Sequence, residues 1–247
     1  SISEDGVDCS FAGQYDTFLN VRGDFQLIEA IKGCYASLYN NRAISYRHDM
    51  NKDDPASLAI AVVVQKMVRS DCGRSGVMFT VDTESGLDSV IVINASYGLC
   101  ELIVQGSNIK PDEFILNKDR LKLGYPAIID KKMGRKTSKM IYSDNPAEKV
   151  RIVPVGNELQ RVFSLSEENI LELGEWALKV EDHYSKFYGK KQCYDIEFAY
   201  DLLTFLHIFL ANFFYSFHSQ KFSIGYLAVS ITLMKQNELL SFINRLN

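Results

Sequence analysis

Charge all but stops at Asp201. Of 27 basic and 31 acidic side chains, only Lys221, Lys235, Glu238 and Arg245 lie beyond it. Residues 202–247 are therefore a different kind of sequence from residues 1–201, which carry the polar surface a water-exposed domain needs. The first part is also rich in apolar runs of strand length, so a core under a sheet is the economical solution.

Those runs set the architecture. Leu58–Val68 is a continuous apolar stretch of the kind buried on both faces, and Gly76-Val-Met-Phe-Thr and Val90-Ile-Val-Ile-Asn follow it after turn-rich segments. They predict interior strands of one sheet. Shorter strands are expected at Glu113–Asn117, Ala127–Lys131, Lys139–Tyr142, Val150–Val155 and Gln192–Tyr200, punctuated by Gly, Pro, Asp and Asn. Two helices frame them. Phe25, Ile28, Ile31, Tyr35 and Leu38 recur at helical spacing over Asp24–Arg47, and Ile170, Leu173, Ala177, Val180, Tyr184 and Phe187 do so over Ser166–Tyr188. Ser164 with Glu167 offers a capping box, and Glu175 with Lys179 an i,i+4 pair. Helices around a mostly antiparallel strand series define an α+β class.

Composition excludes several functions. A net charge of −4 lacks the basic footprint that nucleic-acid binding requires. The cysteines at 9, 34, 72, 100 and 193 are odd in number and never form C-x-x-C, which points to a reduced, cytoplasmic protein without a disulfide frame or zinc site. No signal-peptide pattern opens the sequence. Residues 202–220 carry no charge and approach the ~20 residues that span a bilayer. Thr204, His207, Asn212, Ser216, His218 and Ser219 make that stretch polar for a span, and a membrane anchor is disfavoured.

The sharpest chemical signal is Tyr194-Asp195-Ile196-Glu197-Phe198. On a strand, Asp195 and Glu197 share one face and Ile196 and Phe198 the other. Paired carboxylates on a rigid face suit a hard cation such as Mg²⁺; the same pattern also describes an ordinary solvent-facing strand. Gly134-Arg-Lys-Thr is no P-loop, because Ile129 stands where the first glycine is required. Lys131, Lys132, Arg135, Lys136 and Lys139 fit the solvated face of a hairpin better than a phosphate grip. The four histidines form no ligand spacing, and His183 is expected to be a surface or packing residue.

Longer motifs carry a resemblance. Ser10-Phe-Ala-Gly-Gln-Tyr-Asp-Thr-Phe-Leu-Asn-Val-Arg-Gly, Arg42-Ala-Ile-Ser-Tyr-Arg, Val64-Gln-Lys-Met-Val-Arg-Ser-Asp and Ser75-Gly-Val-Met-Phe-Thr-Val-Asp-Thr-Glu-Ser-Gly come first. Ala95-Ser-Tyr-Gly-Leu-Cys-Glu, Val104-Gln-Gly-Ser-Asn-Ile-Lys-Pro-Asp-Glu-Phe and Asp195-Ile-Glu-Phe-Ala complete the series in order. Over residues 1–201 the chain resembles the nucleotide-binding domain of the phosphoenolpyruvate synthase (pyruvate, water dikinase) family. The resemblance implies an ATP-grasp fold, two α+β lobes holding ATP and Mg²⁺. It also implies a reaction in which the β-phosphoryl group of ATP passes to a histidine on another domain, with release of AMP and phosphate, and then to pyruvate.

Residue by residue, the resemblance places Gln65, Lys66, Met67 and Val68 along the adenine pocket and Glu101 near the ribose or phosphates. Gln14 and Asp16 match a polar site facing the cleft, and Asp195 and Glu197 take the Mg²⁺ role. Cys100 stands where the family has a second glycine. No catalytic residue is assigned, because the family's phosphoacceptor-histidine domain, pyruvate-binding barrel, and N-terminal Lys and Val-Arg-Ser-Ser segment find no match here. The domain is thus expected to be incomplete at both ends, with pyruvate and phosphoenolpyruvate engaged only through absent parts and a homodimer implied by the family. Past Asp201 the family's Gln-Ala-Arg-Pro-Glu-Thr strand is replaced by unrelated apolar sequence. That predicts a tail read out of frame. Beside a synthase fragment stand two other readings, a non-catalytic Mg-ATP-binding module and a non-functional gene remnant.

Overall fold

The computed structural model describes residues 5–6, 9–10, 14–49, 59–104, 106, 109–145, 148–201 and 206–211. The described residues fall into two compact units, one of the described residues up to Met67 with those of the 143–150 loop, the other of Val68–Tyr142 and the described residues from Arg151 onward.

The first unit holds a short ladder, β1 (Asp5–Gly6) with β2 (Cys9–Ser10), and two helices, α1 (Gly23–Ala36) and α2 (Asn41–Asp49), joined by a 3₁₀ turn at Ser37–Tyr39. A single helix over Asp24–Arg47 was the expectation from periodicity, and the chain breaks it at Asn40. There the backbone is extended, and the side-chain oxygen accepts from the Ala43 N–H at 2.7 Å, capping a new helix. Arg47 is buried and donates to the Leu38 carbonyl, tying the second helix back to the 3₁₀ turn. The Asn20 amide bridges the carbonyls of Ser143 and Lys149, which anchors the 143–150 loop in the same unit.

The expected strand at 58–68 is not formed over its described part. Residues 59–68 join no ladder, and Val63 and Val64 are exposed. Apolar, β-branched sequence favours a strand only where a neighbour supplies hydrogen bonds and cover, and among the described residues none does.

The second unit is built on a six-stranded antiparallel sheet of order β10-β9-β3-β4-β5-β6. Its strands are β3 (Arg74–Phe79), β4 (Val90–Tyr97), β5 (Asp112–Asn117), β6 (Ile128–Lys132), β9 (Asp195–Tyr200) and β10 (Leu206–Ala211). A separate pair, β7 (Ser138–Tyr142) and β8 (Val150–Pro154), and the short helices α3 (Glu101–Val104), α4 (Lys118–Lys122) and α5 (Asn157–Gln160) complete the connections. Alternation sorts the sheet into two faces. Met78, Ile93, Phe114 and Ile196 lie in one cross-strand row and are fully buried. They pack with Ile170, Leu173 and Ala177 of α6 (Glu167–Tyr188), forming the core.

Helix α6 spans the expected residues, but its cap lies two positions further on than the capping box implied. Ser166, not Ser164, is the N-cap, accepting from the Asn169 N–H, while Gly189 closes the other end in the left-handed region. Ser164 is buried because its own N–H donates to the Asp112 carboxylate. Lys179 sits over the Trp176 ring at 4.5 Å instead of pairing with Glu175. Val180 and Tyr184 pack against the core, whereas Phe187 projects to solvent. His183 meets the Tyr184 ring edge-on, the packing role expected of it.

The basic run is not a solvated hairpin face throughout. Lys136 is fully buried with Asp112, and Lys131 and Lys132 pair with Glu167 and Glu113. A second buried pair, Lys118 with Glu181, ties α4 to α6 while the ammonium also donates to the Thr80 carbonyl. No helix among the described residues is long and apolar enough to cross a membrane.

Candidate nucleotide and metal site

The sheet face opposite α6 carries the candidate chemistry. Asp195 pairs with Phe79 and Glu197 with Val77, so both carboxylates stand on this face while Ile196 and Phe198 enter the core. They are not the solvent-washed acids of an ordinary outer strand. Burial and the neighbouring Glu197 push the Asp195 carboxyl up to about 7, and burial with Glu101 nearby raises Glu197 above the usual carboxylate range. Asp195 Oδ1 is buried with no hydrogen-bond partner.

Glu101 reaches the same neighbourhood from another element. The Gly98-Leu99-Cys100 turn ends β4 and starts α3, and Glu101 is that helix's first residue. Gly98 has a φ of +87°, and a Cβ there would lie 2.6 Å from the Met140 carbonyl oxygen. The Leu99 N–H donates to that same carbonyl, and the Ser75 hydroxyl donates to the Gly98 carbonyl. Gly98→Ala is therefore expected to cost about 2 kcal/mol or more and to displace the turn, read as a lower urea midpoint. An unchanged midpoint would show that the turn has slack. The Cys100 thiol is held well above its ordinary range by burial and by Glu197, Asp195 and Glu101, which makes it a packing group within the acidic cluster and not a ready nucleophile.

Buried, mutually repelling carboxylates with an orphaned oxygen are what a hard cation would neutralise. Asp195 and Glu197 fit Mg²⁺ in the chemistry of their donors. Among the described residues no three His, Cys, Asp or Glu side chains are placed to hold one ion.

The other candidates lie in the first unit, apart from Val68, which opens the second. Gln14 gives its main-chain carbonyl to Asn40 and Arg42, and its side-chain Oε1 is buried without a partner. Asp16 stands 3.8 Å from the Arg42 guanidinium. Gln65 has a buried, unpartnered Nε2, Lys66 is exposed and Met67 half-buried. Val68 is buried at the start of the second unit, with its carbonyl accepting from the Tyr142 hydroxyl. Thus Glu101, Asp195 and Glu197 are brought together, as are Gln14 and Asp16 with Arg42. Sequence reasoning passed over Ser75, Asn94 and Ser96, which the strand register puts on the carboxylate face. Finding them takes the register of β9, β3 and β4, which alternation along a single strand does not supply.

The antiparallel sheet and its helices fit a nucleotide-binding domain, and a family comparison gives that class directly. The family described as "Pyruvate phosphate dikinase, AMP/ATP-binding domain" matches residues 1–209, and the chain belongs to that family. Its relatives include the phosphoenolpyruvate synthase of Aquifex aeolicus, 52% identical over 199 residues, which are 81% of this chain and 23% of that protein. The phosphoenolpyruvate synthase of Neisseria meningitidis is 48% identical over 192 residues, covering 74% of this chain and 23% of the relative. That of Escherichia coli is 44% identical over 201 residues, covering 81% and 24%. The chain therefore spans about a quarter of the length of these curated relatives.

Proposed function

We propose that residues 1–201 form the ATP-binding part of a phosphoenolpyruvate synthase, an ATP-grasp domain that binds ATP with Mg²⁺. The observation that carries this reading is the identity of the unsatisfied polar atoms. Of the five buried side-chain atoms without a partner among the described residues, three belong to Gln14, Gln65 and Asp195, which the family resemblance assigns to the nucleotide site. A fourth, Ser96 Oγ, lies on the Asp195 face. Unpaired buried polar atoms cost stability, and a ligand that pairs them explains their persistence.

In this reading Asp195 and Glu197 hold Mg²⁺, which when bound neutralises polyphosphate charge. Glu101 orients the nucleotide from the α3 turn, Gln65, Lys66, Met67 and Val68 line the base, and Gln14 and Asp16 supply polar contacts. The domain's contribution is positioning and charge neutralisation, the main requirements of phosphoryl transfer. The acceptor histidine and the pyruvate site belong to other parts of a complete synthase, which forms phosphoenolpyruvate, AMP and phosphate from pyruvate, ATP and water. A homodimeric enzyme in the cytoplasm completes the proposal. Residues 202–247 are read as a tail of separate origin, with β10 at its start. The coding DNA tests that last point: a Gln-Ala-Arg-Pro-Glu-Thr stretch in another frame just downstream is required.

Calorimetric titration of the purified chain with ATP, with and without Mg²⁺, tests the central claim. Binding that strengthens with Mg²⁺ and no AMP formation are expected. Pyruvate-dependent AMP release by this chain alone would overturn the assignment of the acceptor to other domains, and absence of any ATP binding would overturn the site itself.

A further inference from the structure

We infer that Ser75 is a positioning residue for Glu101, its hydroxyl fixing the turn that delivers Glu101 to the carboxylate face. The inference rests on the nucleotide reading above and adds a residue that the reading leaves without a role. Ser75 lies opposite Ala199 and Ser96, two residues along β3 from Val77, which faces Glu197. It therefore shares the face of Asp195 and Glu197. Its hydroxyl is buried and donates to the Gly98 carbonyl at 2.6 Å, deep enough that water cannot take its place.

What the hydroxyl holds is a turn with little stability of its own. Helix α3 has four residues, one turn, and its Ile103 and Val104 amides return to the Cys100 carbonyl immediately after the bend. A single turn does not sustain itself, so the place of its first residue is set by the anchors on the preceding bend. Two of those anchors are backbone bonds, from the Gly98 N–H to the Gly73 carbonyl and from the Leu99 N–H to the Met140 carbonyl. The Ser75 hydroxyl supplies a side-chain anchor from the strand that pairs with β9. It links the position of Glu101 to the strand that registers Asp195 and Glu197, and three carboxylates from two elements are set with respect to one another.

A double-mutant cycle on the full chain tests this, with Mg-ATP affinity as the readout. Ser75→Ala is expected to weaken Mg-ATP binding about fivefold, the effect of one neutral hydrogen bond. Because Ser75 acts through Glu101, adding Ser75→Ala to Glu101→Gln should produce no further loss. Equal affinity of Ser75→Ala and the unsubstituted chain, or losses that multiply in the double variant, would overturn the inference. Amide hydrogen exchange gives a second reading independent of nucleotide. Ser75→Ala should accelerate exchange at Leu99 and Cys100 while leaving the β9 amides unchanged; unaltered exchange at the turn also overturns it. Accelerated exchange in a chain whose unsubstituted form binds no Mg-ATP overturns the nucleotide reading and leaves the turn-positioning role supported.

Discussion

Asp195→Asn is expected to make the metal-free protein more stable at pH 8 while removing the Mg²⁺-dependent part of ATP binding. The carboxyl is pushed up to about 7 in the folded chain, against about 3.9 in an unfolded one. Between those values the native state keeps a proton that the unfolded state has released, so raising the pH through this window destabilises the fold. Above pH 7 the full penalty applies, up to about 4 kcal/mol. Asparagine carries no charge at either pH. The variant should therefore melt roughly 5–10 °C higher than the parent at pH 8 in EDTA, with little difference near pH 4. Glu197→Gln should act in the same direction, since Glu197 is also raised by burial. Thermal melts at the two pH values, paired with titrations of ATP with and without Mg²⁺, provide the check. A variant no more stable at pH 8, or one that keeps its metal dependence, removes Asp195 from the site. Stability gained as binding is lost is the pattern of a residue kept for a ligand.

Asp112→Ala is expected to produce the largest loss of stability of any single change considered. The Asp112 carboxylate is fully buried and accepts from Lys136 Nζ, the Gly134 N–H and the Ser164 N–H. Its removal leaves a fully buried ammonium with only the Gly134 carbonyl, and leaves two amides unpaired. Breaking one side of a buried ion pair costs about 3–5 kcal/mol, before the amides are counted. That is comparable with the whole stability of many domains, about 5–15 kcal/mol. Lys136 also has a φ of +41°, a strained conformation for a residue with a Cβ, and the ion pair is what holds it there. Urea denaturation should show the collapse, and Asp112→Leu combined with Lys136→Met should recover a substantial part. A cost below about 1 kcal/mol would mean that solvent reaches Lys136 and that the latch is not closed.

The sheet was legible because apolar runs of strand length are written directly into β3 and β4 and two-residue alternation into β9. In β9 Ile196 and Phe198 announce one face and Asp195 and Glu197 the other, and the register adds Met78 and Ile93 to the first. What stayed hidden depends on partners distant in sequence. Lys136 belongs by composition to a solvated run, and only Asp112, across the loop, turns it inward. Leu58–Val68 has a strand's composition, but its described residues pair with no strand. Helical periodicity continues through Asn40, whereas the side-chain cap that stops the helix is a local geometric choice that periodicity does not record. The candidate site divides the same way. Its acidic pair was visible from alternation, while Ser75 and the Gly98 bend needed the register between strands.

The placement of β10 beside β9 decides which strand of the described sheet is open to a neighbouring molecule. With Leu206–Ala211 paired to Tyr200–Asp195, the strand bearing the two acids is second from the border of the sheet and its outward backbone groups are already taken. The strand that carries the acids is thus shielded from strand addition by a neighbouring molecule, and among the described residues the border of the sheet passes to Leu206–Ala211.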